Sequence, residues 1–219
     1  MRTGRKHIRA SIMLKMLVAF LVVIAAFACW WCYWALPKFQ ADKIRDSEIR
    51  TRNAVELACG AIGYVYQMQL SGMLPEDQAK AYALVAIGGL QWDTGNGEGS
   101  FWVNDSRPVL LMDANNPQLV NTNVAGVTDK DGNFIYRDAV SIAQNQEGGV
   151  YIYRSTGSNG HTVTNMSYVK SFEPWGWVVG SNGIDREALI ANYRSWRDVL
   201  GLTLGVICFA RLFLAWYVT

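Results

Sequence analysis

The sequence predicts an α+β domain carried between two membrane-spanning helices, and three observations support that reading. Two apolar runs, residues 12–36 and 199–219, lie at the two ends of the 219-residue chain. Between them, short stretches alternate apolar and polar residues and are bounded by glycine, proline or charge, the pattern of half-buried antiparallel strands. Residues 99–105 and 165–180 show it most clearly. Ahead of these strands runs a long amphipathic segment with helical periodicity. The intervening ~150 residues suffice for one domain with its own core.

Residues 1–11 carry Arg2, Arg5, Lys6 and Arg9, and residues 12–36 are then broken only by Lys15. That apolar length exceeds the ~20 residues needed to cross a bilayer and is longer than a signal-peptide core. The bulky Cys-Trp-Trp-Cys-Tyr-Trp at 29–34 is a poor small-residue cleavage site, so the segment is expected to stay as an anchor. The basic flank puts the N-terminus in the cytoplasm, and Trp30, Trp31, Tyr33 and Trp34 form an aromatic belt at the outer interface. With a second span at 198–219, residues 37–197 lie outside a bacterial inner membrane, in the periplasm, and both termini lie inside. Arg211 falls within that second span and is expected to snorkel toward the cytoplasmic headgroups, the alternative being an intramembrane contact.

Net charge is only +2 with no basic face, which speaks against a nucleic-acid partner. Cys29, Cys32 and Cys208 fall in the apolar spans, and Cys59 stands alone outside them, so no disulfide framework supports the domain.

The long helix is read from Ile44, Thr51, Val55, Ala58, Ile62 and Val65, which recur at three- and four-residue steps, with charged residues on the other face. Its apolar stripe is expected either to cover the sheet or to pair with a second copy, the latter being favoured. Gly72 and Pro75 end it, and a shorter helix runs over 76–87 to Gly88-Gly89. The glycine-rich stretch 93–99 lacks Gly-Lys-Ser/Thr and leads into a strand, so it reads as a connection rather than a phosphate loop. Residues 101–104 and 109–112 form a hairpin across Asp-Ser-Arg-Pro at 105–108. Asp-Lys-Asp-Gly-Asn at 129–133 is a turn expected to cap a helix over 134–146, and a strand follows at 150–154.

Taken in order, Phe-Trp-Val-Asn-Asp at 101–105, a Pro-led strand, Asp-Lys-Asp-Gly at 129–132, a helix, Gly-Val-Tyr-Ile-Tyr at 149–153 and Ser-Tyr-Val-Lys-Ser-Phe-Glu-Pro-Trp-Gly-Trp-Val-Val-Gly at 167–180 resemble one family. It is the single Cache domain, type 2, found outside the membrane in methyl-accepting chemotaxis receptors and sensor histidine kinases. The resemblance covers residues 38–194 and implies a long N-terminal helix packed on a PAS-like antiparallel sheet of five to six strands. It also implies a pocket on the sheet for a small molecule, often a short organic acid. Two positions depart from the family's usual pattern. Met112-Asp113-Ala114 stands where a Met-His-Pro-like stretch is usual, and Asn165 stands where Lys usually precedes the closing run. Fewer cationic groups weaken the case for a carboxylate, because a buried anion needs paired donors. Asp113 facing the pocket favours an amine, an amino acid or a polar neutral ligand.

Alternation places Trp102 and Asn104 on one face of their strand, Tyr151 and Tyr153 on one face, and Met166, Tyr168 and Lys170 on one face. With Asp113, Asn165, Tyr136 on the helix, and Arg107 and Lys170 as anion partners, these are the candidate ligand-binding residues. His161 has no second histidine outside the membrane to build a metal site with, and no nucleophile elbow or His-Glu-x-x-His is present. A sensor is therefore expected rather than an enzyme, with no cofactor. Its partners would be a small organic ligand, the membrane, a second copy through the long helix, and a downstream signalling protein. The last is expected because no kinase or coiled coil follows the second span, so the chain is either a fragment of a longer receptor or acts through a partner in the membrane. The other reading is a membrane-anchored, protein-binding scaffold with no small ligand. A pocket plugged by Trp102 or Tyr153 would favour that scaffold, and an open, polar one would favour sensing.

Overall fold

A computed structural model describes residues 2–94, 97–144, 148–156, 160–191 and Arg211, with side chains from residue 13 onward except Cys32. The chain divides into two compact units, residues 44–189 and residues 1–43 with 190–219.

In the first of these to be met along the chain, α1 (Arg2–Trp30) is followed by a π-helical turn, Trp31–Ala35, and then by α2 (Leu36–Leu70). The π turn has a local cause. Pro37 offers no N–H, and its ring crowds the carbonyl four residues back. Widening the preceding turn, with the Leu36 N–H reaching the Trp31 carbonyl, accommodates it. Among the described residues one helical run, starting at Met13, is long and apolar enough to cross a membrane, and its most apolar window is not buried in the protein. Trp30 and Trp34 stack at 5.4 Å, and the Lys38 ammonium lies 5.2 Å from the Trp34 ring. The expected second span lies outside the described residues except for Arg211. Its guanidinium lies 5.2 Å from the Phe20 ring, so the residue has an intramolecular cation–π partner beside the expected route to the headgroups.

The larger unit begins within α2 and continues through α3 (Glu76–Gly88), a two-residue ribbon of β1 (Trp92–Asp93) with β2 (Glu98–Gly99), and β3 (Phe101–Asp105) with β4 (Leu110–Asp113). Then come α4 (Ile135–Ala143), β5 (Gly149–Thr156), β6 (Thr162–Phe172), β7 (Trp177–Ser181) and β8 (Ile184–Asp185). The main sheet is antiparallel in the order β4-β3-β7-β6-β5, with β8 added to β6. The 105–108 turn closes as expected: Asp105 Oδ1 accepts the N–H groups of Arg107 and Val109 at 2.9 and 2.8 Å. A bulge between Val103 and Asn104 shifts the β3–β4 register.

Each sheet face has its own apolar cluster. On one, Phe101, Val103, Tyr168, Trp177 and Val179 meet Val55, Ala58, Ile62 and Val65 of α2 and Ala79, Ala83 and Ile87 of α3. The α2 stripe, for which the sequence allows both the sheet and a second copy, is thus buried against the sheet. A different set, Ile49, Leu57 and Tyr64, is exposed at 48%, 75% and 70%. On the other face α4 packs Tyr136, Ala139, Val140 and Ala143 onto Trp102, Leu110, Val169 and Val178.

The 129–133 turn does not cap α4. The N-cap residue is Phe134, without a side-chain cap bond. Asp129 instead closes its own loop, accepting the N–H groups of Asp131 and Asn133, and that of Arg154 on β5. Burial works against the Asp129 charge, but these donors with the Asn133 amide outweigh it and hold the carboxyl below its ordinary range. The helix ends at Ala143, earlier than expected, and residues 145–147 lie outside the described set.

Candidate ligand cavity

On the sheet face covered by α4, away from α2, lies a cavity of about 480 Å3. Its floor is the middle of the sheet: Trp102 on β3, Asp113 at the end of β4, Tyr151, Tyr153 and Ser155 on β5, and Asn165 on β6. Tyr136 and Ile135 from α4, Asn115, Asn116 and Leu119 from the loop after β4, and Asn182-Gly183 after β7 complete the wall.

Period-two alternation brings these side chains together. Trp102 pairs with Asp113 across β3–β4, Tyr151 with Ser167 and Tyr153 with Asn165 across β5–β6, and partners in register share a face. Trp102 also pairs with Gly180, where a Cβ would collide with the indole. The bare strand lets the ring lie flat on β7 and donate from Nε1 to the Ser181 carbonyl at 3.1 Å. Tyr136 meets the ring edge-on at 5.3 Å and 79°. Gly183 plays the same part at the other end, since a Cβ there would run into Tyr153 and Asn165.

Asp113 is 3% exposed. Its Oδ1 accepts the N–H groups of Asn115 and Asn116 at 2.8 and 3.2 Å, and its Oδ2 accepts the Asn116 side-chain amide at 3.0 Å. The loop after β4 is therefore tied to a carboxylate at the cavity edge. Asn165 donates to Ser155 Oγ at 2.6 Å, and Asn182 donates to Ser100 Oγ at 2.6 Å. Tyr151 and Tyr153 stack at 5.4 Å. The Tyr151 hydroxyl is buried and has no hydrogen-bond partner among the described residues. Burial raises all three cavity phenols: Tyr153 is pushed up to about 12 by desolvation, against the help of the Gly183 N–H, and Tyr136 and Tyr151 rise in the same direction. They are neutral at physiological pH and able to donate or accept.

Of the residues singled out from the sequence, Trp102, Asp113, Tyr136, Tyr151, Tyr153 and Asn165 line this cavity. Four do not. Tyr168 and Lys170 sit on the opposite face, Tyr168 in the α2 cluster with Arg52 over its ring at 6.0 Å, and Lys170 in an ion pair with Glu56 of α2. Alternation groups Tyr168 with Lys170 correctly but does not say which face the group takes, and Asn165, Ser167 and Val169 take the cavity side. Asn104 shares the Trp102 face but is fully buried beyond the cavity, donating to the Asp105 carbonyl. Arg107 is exposed in the turn and paired with Asp105 at 3.1 Å. Sequence reasoning missed Asn115, Asn116, Asn182 and Gly183. The Asn-Asn-Pro at 115–117 was legible only as a strand breaker, and Asn-Gly at 182–183 ends a strand without saying where the loop folds.

A family model described as single Cache domain 2 matches residues 44–188. The chain is 29% identical over 201 residues to the methyl-accepting chemotaxis protein McpP of Pseudomonas putida (strain KT2440), covering 90% of this chain and 35% of that protein. It therefore spans about a third of that relative's length. Two solved structures align with TM-scores of 0.59. One is described as "Structural basis for carboxylic acid recognition by a Cache chemosensory domain", at 29% identity, covering 66% of this chain and 97% of that one. The other is a "Periplasmic sensor domain of chemotaxis protein", at 30% identity, covering 65% and 96%.

Proposed function

The chain belongs to the single Cache domain 2 family, and on that premise we propose that residues 44–189 are the extracytoplasmic small-molecule sensor of a membrane-anchored chemotaxis receptor. The observation that carries the reading is the polar cavity, at whose wall the buried Tyr151 hydroxyl has no partner among the described residues. A buried hydroxyl left unpaired costs about 1–3 kcal/mol, which a bound ligand recovers. Trp102 is pinned to Ser181 and lines the cavity without filling it, which favours sensing over the scaffold reading.

The apolar helix through residues 12–36 is the anchor, with residues 1–11 cytoplasmic and the cavity on the periplasmic side of a bacterial inner membrane. Ligand binding is passed on through α2, which the sheet grips by the Lys170–Glu56 ion pair and the Trp175 Nε1 bond to Gln69 at 2.8 Å. The exposed Ile49, Leu57 and Tyr64, spaced by about two helical turns, form the seam of a homodimer. A downstream signalling protein completes the path.

Thermal unfolding of the full chain in detergent micelles against amines, amino acids, amides and short carboxylic acids tests this. The acids belong in the panel because one structural relative is described as recognising them. A ligand at 100 times its Kd adds about 2.7 kcal/mol of stability. A folded chain that no compound stabilises would instead favour the scaffold.

A further inference from the structure

If the cavity is a small-molecule site, its charge says which class of molecule enters. Asp113 is the one acidic residue among the described lining residues, which include no Lys, Arg or His. The undescribed stretches inside this unit, 95–96, 145–147 and 157–159, contain no basic residue either. Three cations on the surrounding elements are engaged elsewhere, Arg154 with Asp131 at 3.1 Å, Arg137 over Phe134 at 4.5 Å, and Lys170 with Glu56 beneath the sheet, and Arg186 after β8, whose buried Nε has no partner among the described residues, is not part of the lining. The field reaching the cavity phenols is negative as well. After burial, the charge of Asp113 raises Tyr136 and Tyr153, and those of Asp138 and Asp129 raise Tyr151.

A free carboxylate entering this space would meet a buried carboxylate with no counter-charge, and like charges at close range cannot both stay ionised without a large penalty. A protonated amine meets the opposite situation. Asp113 spends three acceptor positions on the 115–116 loop, leaving one on Oδ2, and a carboxylate offers about four. We propose that the cavity takes a small ligand with a protonated amine, its ammonium donating to Asp113 and another polar group of the ligand meeting the Tyr151 hydroxyl. This rests on the sensing reading, with the ligand class added.

Isothermal titration of the full chain in detergent micelles at pH 7 with linear amines, matched primary amides and matched carboxylates of two to five carbons tests it. The expected result is amine binding at least about tenfold tighter than that of the matched carboxylate. Asp113→Asn should lose about tenfold or more for the amine with little change for the amide, and Tyr151→Phe should weaken ligands bearing a second polar group. The wild-type ratio needs no variant, so a poorly folding Asp113→Asn does not protect the idea. Carboxylates binding as tightly as amines overturn the ligand class and leave sensing intact. No binding by any series, in a chain with native circular dichroism, overturns both.

Discussion

Trp102 and Gly180 are cross-strand partners on β3 and β7, and the indole of the one occupies the space where the other's side chain would stand. Gly180→Ala should therefore expel the ring, break its bond to Ser181 and cost about 1–3 kcal/mol, as overpacking of a dense core does. Chemical denaturation measures the loss. Tryptophan fluorescence should show the indole reaching water, whereas an unchanged spectrum would mean the ring does not lie where the geometry puts it.

Alkaline stability should reveal the buried phenols. Their folded values stand above the unfolded value near 10, so the unfolded chain releases its protons first and stability falls as pH rises. For Tyr153 the window runs from the ordinary tyrosine value of 10.0 to about 12, with a slope of at most about 1.4 kcal/mol per pH unit. Tyr153→Phe should flatten the decline there. Denaturation midpoints taken between neutral and strongly alkaline pH will show it.

Cys59 should be inert in the folded protein. Burial against the α2 face of the core pushes its thiol up to about 12, with the Lys170 charge only partly offsetting this. Since the thiolate is the reactive species, alkylation at mildly alkaline pH should be roughly a thousandfold slower than after unfolding. Peptide mapping of iodoacetamide adducts distinguishes Cys59 from the other cysteines.

Leu57→Lys tests the proposed dimer seam. Leu57 is 75% exposed, so the monomer's stability should change by no more than about 0.5 kcal/mol. Light scattering in micelles should nonetheless show a shift from two copies toward one. Ile62→Ala on the buried side should do the reverse, costing about 2–5 kcal/mol without acting on the seam directly.

The sequence by itself determined the apolar N-terminal helix, the long amphipathic helix, and the strands with their internal alternation, because these depend on patterns within single segments: about twenty apolar residues, steps of three and four, and steps of two. That is why Tyr151 and Tyr153 were placed together, and why Tyr168 was grouped with Lys170. Only the tertiary structure decided which face each group takes. The α2 stripe of Val55, Ala58, Ile62 and Val65 needs the broadest apolar surface, and the face bearing Phe101, Val103, Tyr168 and Val179 supplies it. Lys170 went with that face, to Glu56, and Asn165 was left to the cavity with Asp113. The loop residues Asn115, Asn116 and Asn182 carry no periodic signal. Their place in the wall follows from hydrogen bonds to Asp113, two and three residues from Asn115 and Asn116, and to Ser100, 82 residues from Asn182, and no local pattern contains the last.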